Sequence, residues 1–127
     1  MNILFRCDSS ITIGLGHLSR CLALSRYMNN KYNVNIFFAM KNYDLQLPKI
    51  EDRFTVIKFN DKDSKYILWL ESCLNDFNID ILILDVRNDL NRENLKKVKN
   101  NNKIKIITID DPEEKRLECD IAFYPPV

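Results

Sequence analysis

Glycine is almost missing from this chain. Typical usage of about 7 % would place roughly nine in a sequence of this length, and there are two. Both fall in one short segment, Gly14-Leu15-Gly16, directly before the only histidine, His17. A chain that avoids glycine elsewhere and concentrates it there is expected to need unusual backbone geometry at that spot. Other absences narrow the function. There is no CxxC pair. Cys7, Cys21, Cys73 and Cys119 are scattered, three of them inside apolar patterns. With a single histidine, that argues against a zinc site and for reduced, mostly buried thiols in a cytoplasmic protein. No charge of one sign dominates: 19 basic side chains face 18 acidic ones, for a net +1. No basic run or aromatic–basic interleaving is present, so nucleic acid is not an expected partner. The start, MNILFRCDSS, holds no apolar segment of signal-peptide length. The longest apolar stretch, around Ile79 to Leu84, is too short to span a bilayer, so no membrane partner is expected.

What remains is ordinary for one globular domain over residues 1–127, with 46 % hydrophobic and 29 % charged residues. Apolar runs of strand length recur at Asn2–Cys7, Val34–Ala39, Phe54–Phe59, Ile79–Asp85 and Ile104–Ile109, with a short sixth at Ile121–Tyr124. The fourth, IDILILD, reads as buried on both faces. Between them lie segments with helical spacing. His17–Asn29 carries Leu18, Cys21, Leu22, Ser25 and Met28 on one face. Asp63–Phe77 carries Ile67, Leu70, Leu74 and Phe77, with Asp63 or Ser64 as N-cap. Leu90–Asn100 carries Leu95 and Val98, and the run Asn100–Asn102 is expected to stop it. Strands alternating with helices predict an α/β fold: a Rossmann-like parallel sheet, connected right-handedly, with helices on both faces.

In such sheets ligands gather at the carboxyl ends of the strands. Strand one runs into Asp8, Ser9 and Ser10, strand four into Asp85 and Arg87, and strand five into Asp110 and Asp111. Three polar exits on one edge make that edge the candidate site. A dinucleotide loop does not fit, because GxGxxG needs a third glycine where Ser19 stands and no acid ends strand two. The P-loop pattern is absent.

The long loop after strand one instead feeds a helix opening with His17 and carrying Arg20 one turn later. Residues three apart face similar directions, so both can look over the sheet edge. The positive end of a helix dipole favours the neutral imidazole, the form a general base needs. Spacing alone leaves the alternative open, with His17 packing at the helix start and Arg20 solvated. Trp69, beside Tyr66 and Leu70, reads as packing. The charged run Glu113–Arg116 reads as solvated surface.

The segment FRCDSSITIGLGHLSRCLALSRYM resembles the N-terminal signature of the UDP-2,4-diacetamido-2,4,6-trideoxy-β-L-altropyranose hydrolases of pseudaminic acid biosynthesis, approximately FRxDSSxxIGxGHxxR. The matching positions are Phe5, Arg6, Asp8, Ser9, Ser10, Ile13, Gly14, Gly16, His17 and Arg20. That family is related to the GT-B glycosyltransferases. The resemblance implies a two-domain enzyme of which this chain is the N-terminal, Rossmann-like half, with a C-terminal domain supplying most of the uridine diphosphate contacts. It implies hydrolysis of a UDP-amino-sugar at C1 with inversion, without metal or other cofactor, and with His17 acting on the attacking water. Asp8 would orient His17 or a sugar hydroxyl, or serve as a loop carboxylate for backbone N–H groups. Ser9, Ser10, Gly14, Gly16 and Arg20 would bind substrate together with Asp8.

One departure stands out. The family pattern after strand four resembles Asp-His-Tyr, and this chain has Asp85-Val86-Arg87. Arg87 is suited to hold a carboxylate or phosphate, and loss of the aromatic residue leaves the sugar open. Two other readings stand beside hydrolysis: the acceptor-side domain of a glycosyltransferase, in which His17 deprotonates a hydroxyl, and a non-catalytic binding module. The ending, Phe123-Tyr124-Pro125-Pro126-Val127, reads as a cut in a linker. The chain alone is accordingly expected to be inactive and to bind UDP weakly.

Overall fold

The computed structural model describes residues 1–9, 16–41, 50, 53–59, 65–86 and 90–124. Ser10, Gly14 and Arg87 from the predicted site lie outside them, as do Asp63 and Ser64. Six strands are described: β1 (Asn2–Cys7), β2 (Asn35–Met40), β3 (Thr55–Lys58), β4 (Ile81–Asp85), β5 (Lys105–Ile109) and β6 (Ile121–Phe123). They form one sheet in the order β3-β2-β1-β4-β5-β6, and every neighbouring pair is parallel. This is the doubly wound order, in which chain direction across the sheet reverses between β1 and β4. The predicted α/β, Rossmann-like class is therefore the one observed.

Side chains alternate across the sheet, and the two sets of strand residues build two cores. Ile3, Phe5 and Cys7 of β1, with Ile36, Phe38 and Met40 of β2 and Ile83 of β4, face the helix α1 (Gly16–Lys31) through Leu18, Cys21 and Leu22. Leu4, Ala39, Leu82, Leu84 and Ile106 face the other way. They pack on α2 (Tyr66–Asp76) through Leu70, Cys73 and Leu74, and on α3 (Arg92–Asn102) through Leu95 and Val98. Phe5 stacks on Phe38 at 5.3 Å between ring centroids, locking β1 to β2 in the α1-side core. Trp69 packs at 5.1 Å from Phe59 and 5.9 Å from Tyr66, against the opposite core.

Several element ends differ from expectation. Phe54, Phe59, Ile79 and Ile104 are buried but flank the strands rather than joining them. Burial, not ladder pairing, accounts for their apolar character. Helix α2 begins at Tyr66, with Lys65 at the N-cap position making no side-chain cap; the expected caps, Asp63 and Ser64, lie outside the described residues. Asn91 does cap α3, its side chain accepting from Asn94 N–H at 2.7 Å. The asparagine run does not stop that helix. Asn100 to Asn102 are its last residues, and Lys103 ends it in a left-handed conformation at φ 50°. Glu114–Glu118 form a 3₁₀ helix where a solvated run is predicted. Its Lys115 side chain is wholly buried, ion-paired with Asp111 and, at 2.8 Å, with Glu113. A buried charge is tolerated only when paired and hydrogen-bonded, and two carboxylates supply that here.

Among the described residues, no helix lies over β5 and β6 on the α1 face beyond Leu24 and Met28. An apolar groove of about 510 Å³ is left there, running from the stem of Arg20 to Ile121 and Phe123. No described helix is long and apolar enough to cross a membrane.

Candidate functional site

Strand parity decides what reaches the carboxyl edge on each face. Asp85 ends β4 two residues after Ile83, so it projects to the α1 side, beside its register partner Cys7. Helix α1 starts above the same edge and lowers His17 and Arg20 onto it, one helical turn apart. The three side chains meet. His17 Nδ1 lies 2.6 Å from Asp85 Oδ1. Arg20 Nε donates to Asp85 Oδ2 at 2.7 Å, and Arg20 Nη2 donates to Oδ1, completing a two-pronged fork. Cys21 Sγ, one turn after His17 and on the buried side of α1, donates to Oδ2 at 3.5 Å. Arg20 Nη1 stands 3.8 Å from Asp110, which leaves β5 with φ 51°.

Burial is uneven across this cluster. The Asp85 side chain is 1 % exposed, whereas those of His17 and Arg20 are 25 % and 31 % exposed. The carboxylate is thus an internal anchor, and the two side chains it holds carry the arrangement toward solvent. A carboxylate this deep has to be paired to stay ionised, and Arg20 supplies the pairing charge. Reciprocally, hydrogen bonding to Asp85 raises the Arg20 pKa above its ordinary value, against the opposing effect of burial.

The imidazole is polarised by this geometry. Nδ1 has two neighbours, Asp85 Oδ1 at 2.6 Å and Arg20 Nη2 at 3.2 Å. It cannot donate to one and accept from the other at once. The shorter contact, to an ionised oxygen, is the stronger bond, and Arg20 Nη2 already donates to that same carboxylate. The 2.6 Å contact is therefore read as Nδ1–H donating to Asp85, which in a neutral ring leaves the lone pair on Nε2. A histidine so oriented is set up as a proton acceptor.

The other predicted residues sit around this centre. Asp8 does not orient His17; that place belongs to Asp85. Its carboxylate turns to the opposite face and takes a fork from Arg6, Nη1 to Oδ1 at 2.6 Å and Nη2 to Oδ2 at 3.0 Å, plus Lys41 N–H at 2.8 Å. Arg6 is fully buried, donates through Nε to Tyr66 Oη at 2.7 Å, and lies over the Tyr66 ring. Ser9 is 1 % exposed, and its Oγ has no hydrogen-bond partner among the described residues. Buried hydroxyls are seldom left unsatisfied, so Ser9 is a group suited to a ligand. Gly16 is the first residue of α1. A methyl group built on it meets nothing within 4 Å, and its φ is not left-handed. Glycine is thus not required there by the backbone, contrary to the expectation from composition.

Asp85 is the residue that sequence reasoning placed at the edge without its role. The signal was its parity with Ile81 and Ile83, which puts it on the same face as α1. Contact with Cys7, together with burial, raises the Cys21 pKa far above its ordinary value, and in the opposite core burial raises that of Cys73 to about 12. The chain matches no protein-family model and no curated protein.

Proposed function

We propose that the chain is the sugar-side half of a nucleotide-sugar hydrolase, cleaving a UDP-amino-sugar at C1 with inversion and releasing UDP. The observation carrying this reading is the His17–Asp85 pair at the carboxyl edge of the sheet, with Nδ1 bound inward and Nε2 making no hydrogen bond among the described residues. In the reaction, a water molecule on the face of the sugar opposite the nucleotide gives its proton to Nε2 as its oxygen bonds to C1. The C1–oxygen bond breaks and its electron pair leaves with UDP. Inversion follows from attack opposite the leaving group. Because a diphosphate leaves readily as an anion, the site needs a base more than a strong acid.

Asp85 holds the imidazole in the tautomer this step requires. Ser9 Oγ, buried and unpartnered, is assigned a hydrogen bond to a substrate hydroxyl or amide. Ser10, Gly14 and Arg87 lie outside the described residues; the roles of Ser10 and Gly14 follow from the family resemblance, and that of Arg87, where the chain departs from the family pattern, from the chemistry of its guanidinium. The sequence motif from Phe5 to Arg20 supports the UDP-sugar class, and the second half of the enzyme supplies the uridine diphosphate contacts. The apolar groove beside Arg20 fits a two-domain enzyme, since uncovered apolar patches of this kind mark contact surfaces.

The test is turnover of UDP-amino-sugars by the complete enzyme in ¹⁸O-labelled water, with and without sugar acceptors. Hydrolysis at C1 releases unlabelled UDP in water alone. Labelled UDP places the cleavage at phosphorus, and strict dependence on an acceptor makes the protein a transferase.

A further inference from the structure

We infer that Arg20 is a positioning residue, which sets the tautomer of His17 through Asp85, rather than a substrate clamp. This inference rests on the reading of His17 as the base. Two observations carry it. First, the guanidinium is committed inward, with Nε and Nη2 both on Asp85 and Nη1 facing Asp110 at 3.8 Å. Second, the fork occupies both oxygens of Asp85, so the carboxylate cannot rotate without breaking a charge-assisted bond. Oδ1 is thereby held 2.6 Å from His17 Nδ1.

A lysine cannot reproduce the arrangement. Its single ammonium supplies the charge but not the planar fork. An apolar residue removes both. Among the described residues Asp85 would then keep only His17 and Cys21 as donors, and it would be free to turn. Turning weakens its hold on Nδ1.

The experiment uses the one histidine of the chain. Incorporating ring-¹⁵N histidine gives a single imidazole in the spectrum, and the two ring nitrogens report directly which one carries the proton. At neutral pH and without ligand, the unsubstituted chain is expected to show the proton on Nδ1. Arg20→Leu is expected to shift the tautomer ratio toward Nε2–H by about ten- to a hundredfold, the range for one hydrogen bond to a charged partner. Arg20→Lys is expected to fall between the two, and it carries the test should the leucine variant fail to fold. A ring protonated on Nε2 in the unsubstituted chain overturns the inference. So does an unchanged ratio in the variants, the result a substrate clamp would give because no substrate is present. The outcome is independent of turnover, so a failed hydrolase assignment and a failed role for Arg20 are told apart.

Discussion

Two arginine–aspartate pairs stand at the same edge of the sheet, one on each face, and their surroundings set them apart. On the α2 side, Arg6 and Asp8 form a closed unit. The arginine side chain is fully buried, lies over Tyr66 and 5.9 Å from the Trp69 ring centroid, and donates to Tyr66 Oη, while Asp8 also takes the N–H of Lys41. On the α1 side, Arg20 and Asp85 are joined by the same fork but have a histidine as third member, and that histidine reaches solvent. The first pair ends within the protein. The second passes its orientation outward through an imidazole. An ion pair in a cleft therefore says little about function until its remaining hydrogen-bonding partner is known.

The comparison is broken most severely at Asp85. Asp85→Asn keeps the shape but removes the charge that selects the Nδ1–H tautomer. Turnover of the complete enzyme is expected to fall about 10³- to 10⁴-fold, the scale seen when a histidine loses its orienting carboxylate in a serine protease. Initial rates of UDP release measure it. The matching change on the other face, Arg6→Met, acts on stability. It strands the buried Asp8 carboxylate and is expected to cost about 3–5 kcal/mol, read from the urea midpoint of the chain.

Replacing both members, Arg6→Met with Asp8→Leu, sharpens the contrast. Well-packed apolar pairs often substitute for buried ion pairs at little cost. Most of the loss is expected to return, less about 1 kcal/mol for the unpaired Lys41 N–H. Double replacement of Arg20 and Asp85 is expected to leave the enzyme inactive however stable it becomes.

The smallest effect lies away from both pairs. Asp120 accepts Ile106 N–H at 2.8 Å and Lys99 Nζ at 3.1 Å, and the backbone bond is the main cause holding its pKa below the ordinary value. Its folded-state pKa is below the unfolded one. The stability it contributes is thus complete above the unfolded value and is lost as pH falls through the folded value. In Asp120→Asn that loss, expected below about pH 4, should be missing from urea midpoints measured against pH, because the variant already lacks the same small contribution at neutrality.

Much of the fold was legible because its signals are local. Runs such as IDILILD and IKIITI mark buried strands, and their alternation with helical spacing implies parallel pairing. The ends were less legible, since they depend on backbone states that composition hides. Lys103 ends α3 in a left-handed conformation, which nothing in a lysine announces. The charged run around Lys115 looked solvated because the ion pairs that bury it form only when the 3₁₀ helix folds back on the end of β5. The site divides in the same way. His17 and Arg20 were legible from one helical turn, whereas Asp85 is 68 residues from His17 and becomes its partner only through the sheet register. Asp8 was the nearer acid in sequence, and its parity turned it to the other face.

The account stands most directly on His17. Turnover and UDP affinity of the complete enzyme carrying His17→Asn, measured together, test it in one comparison. The predicted result is loss of UDP release with nucleotide affinity nearly unchanged, because in the proposed reaction the imidazole serves the attacking water and not the nucleotide. Normal turnover in that variant would contradict it.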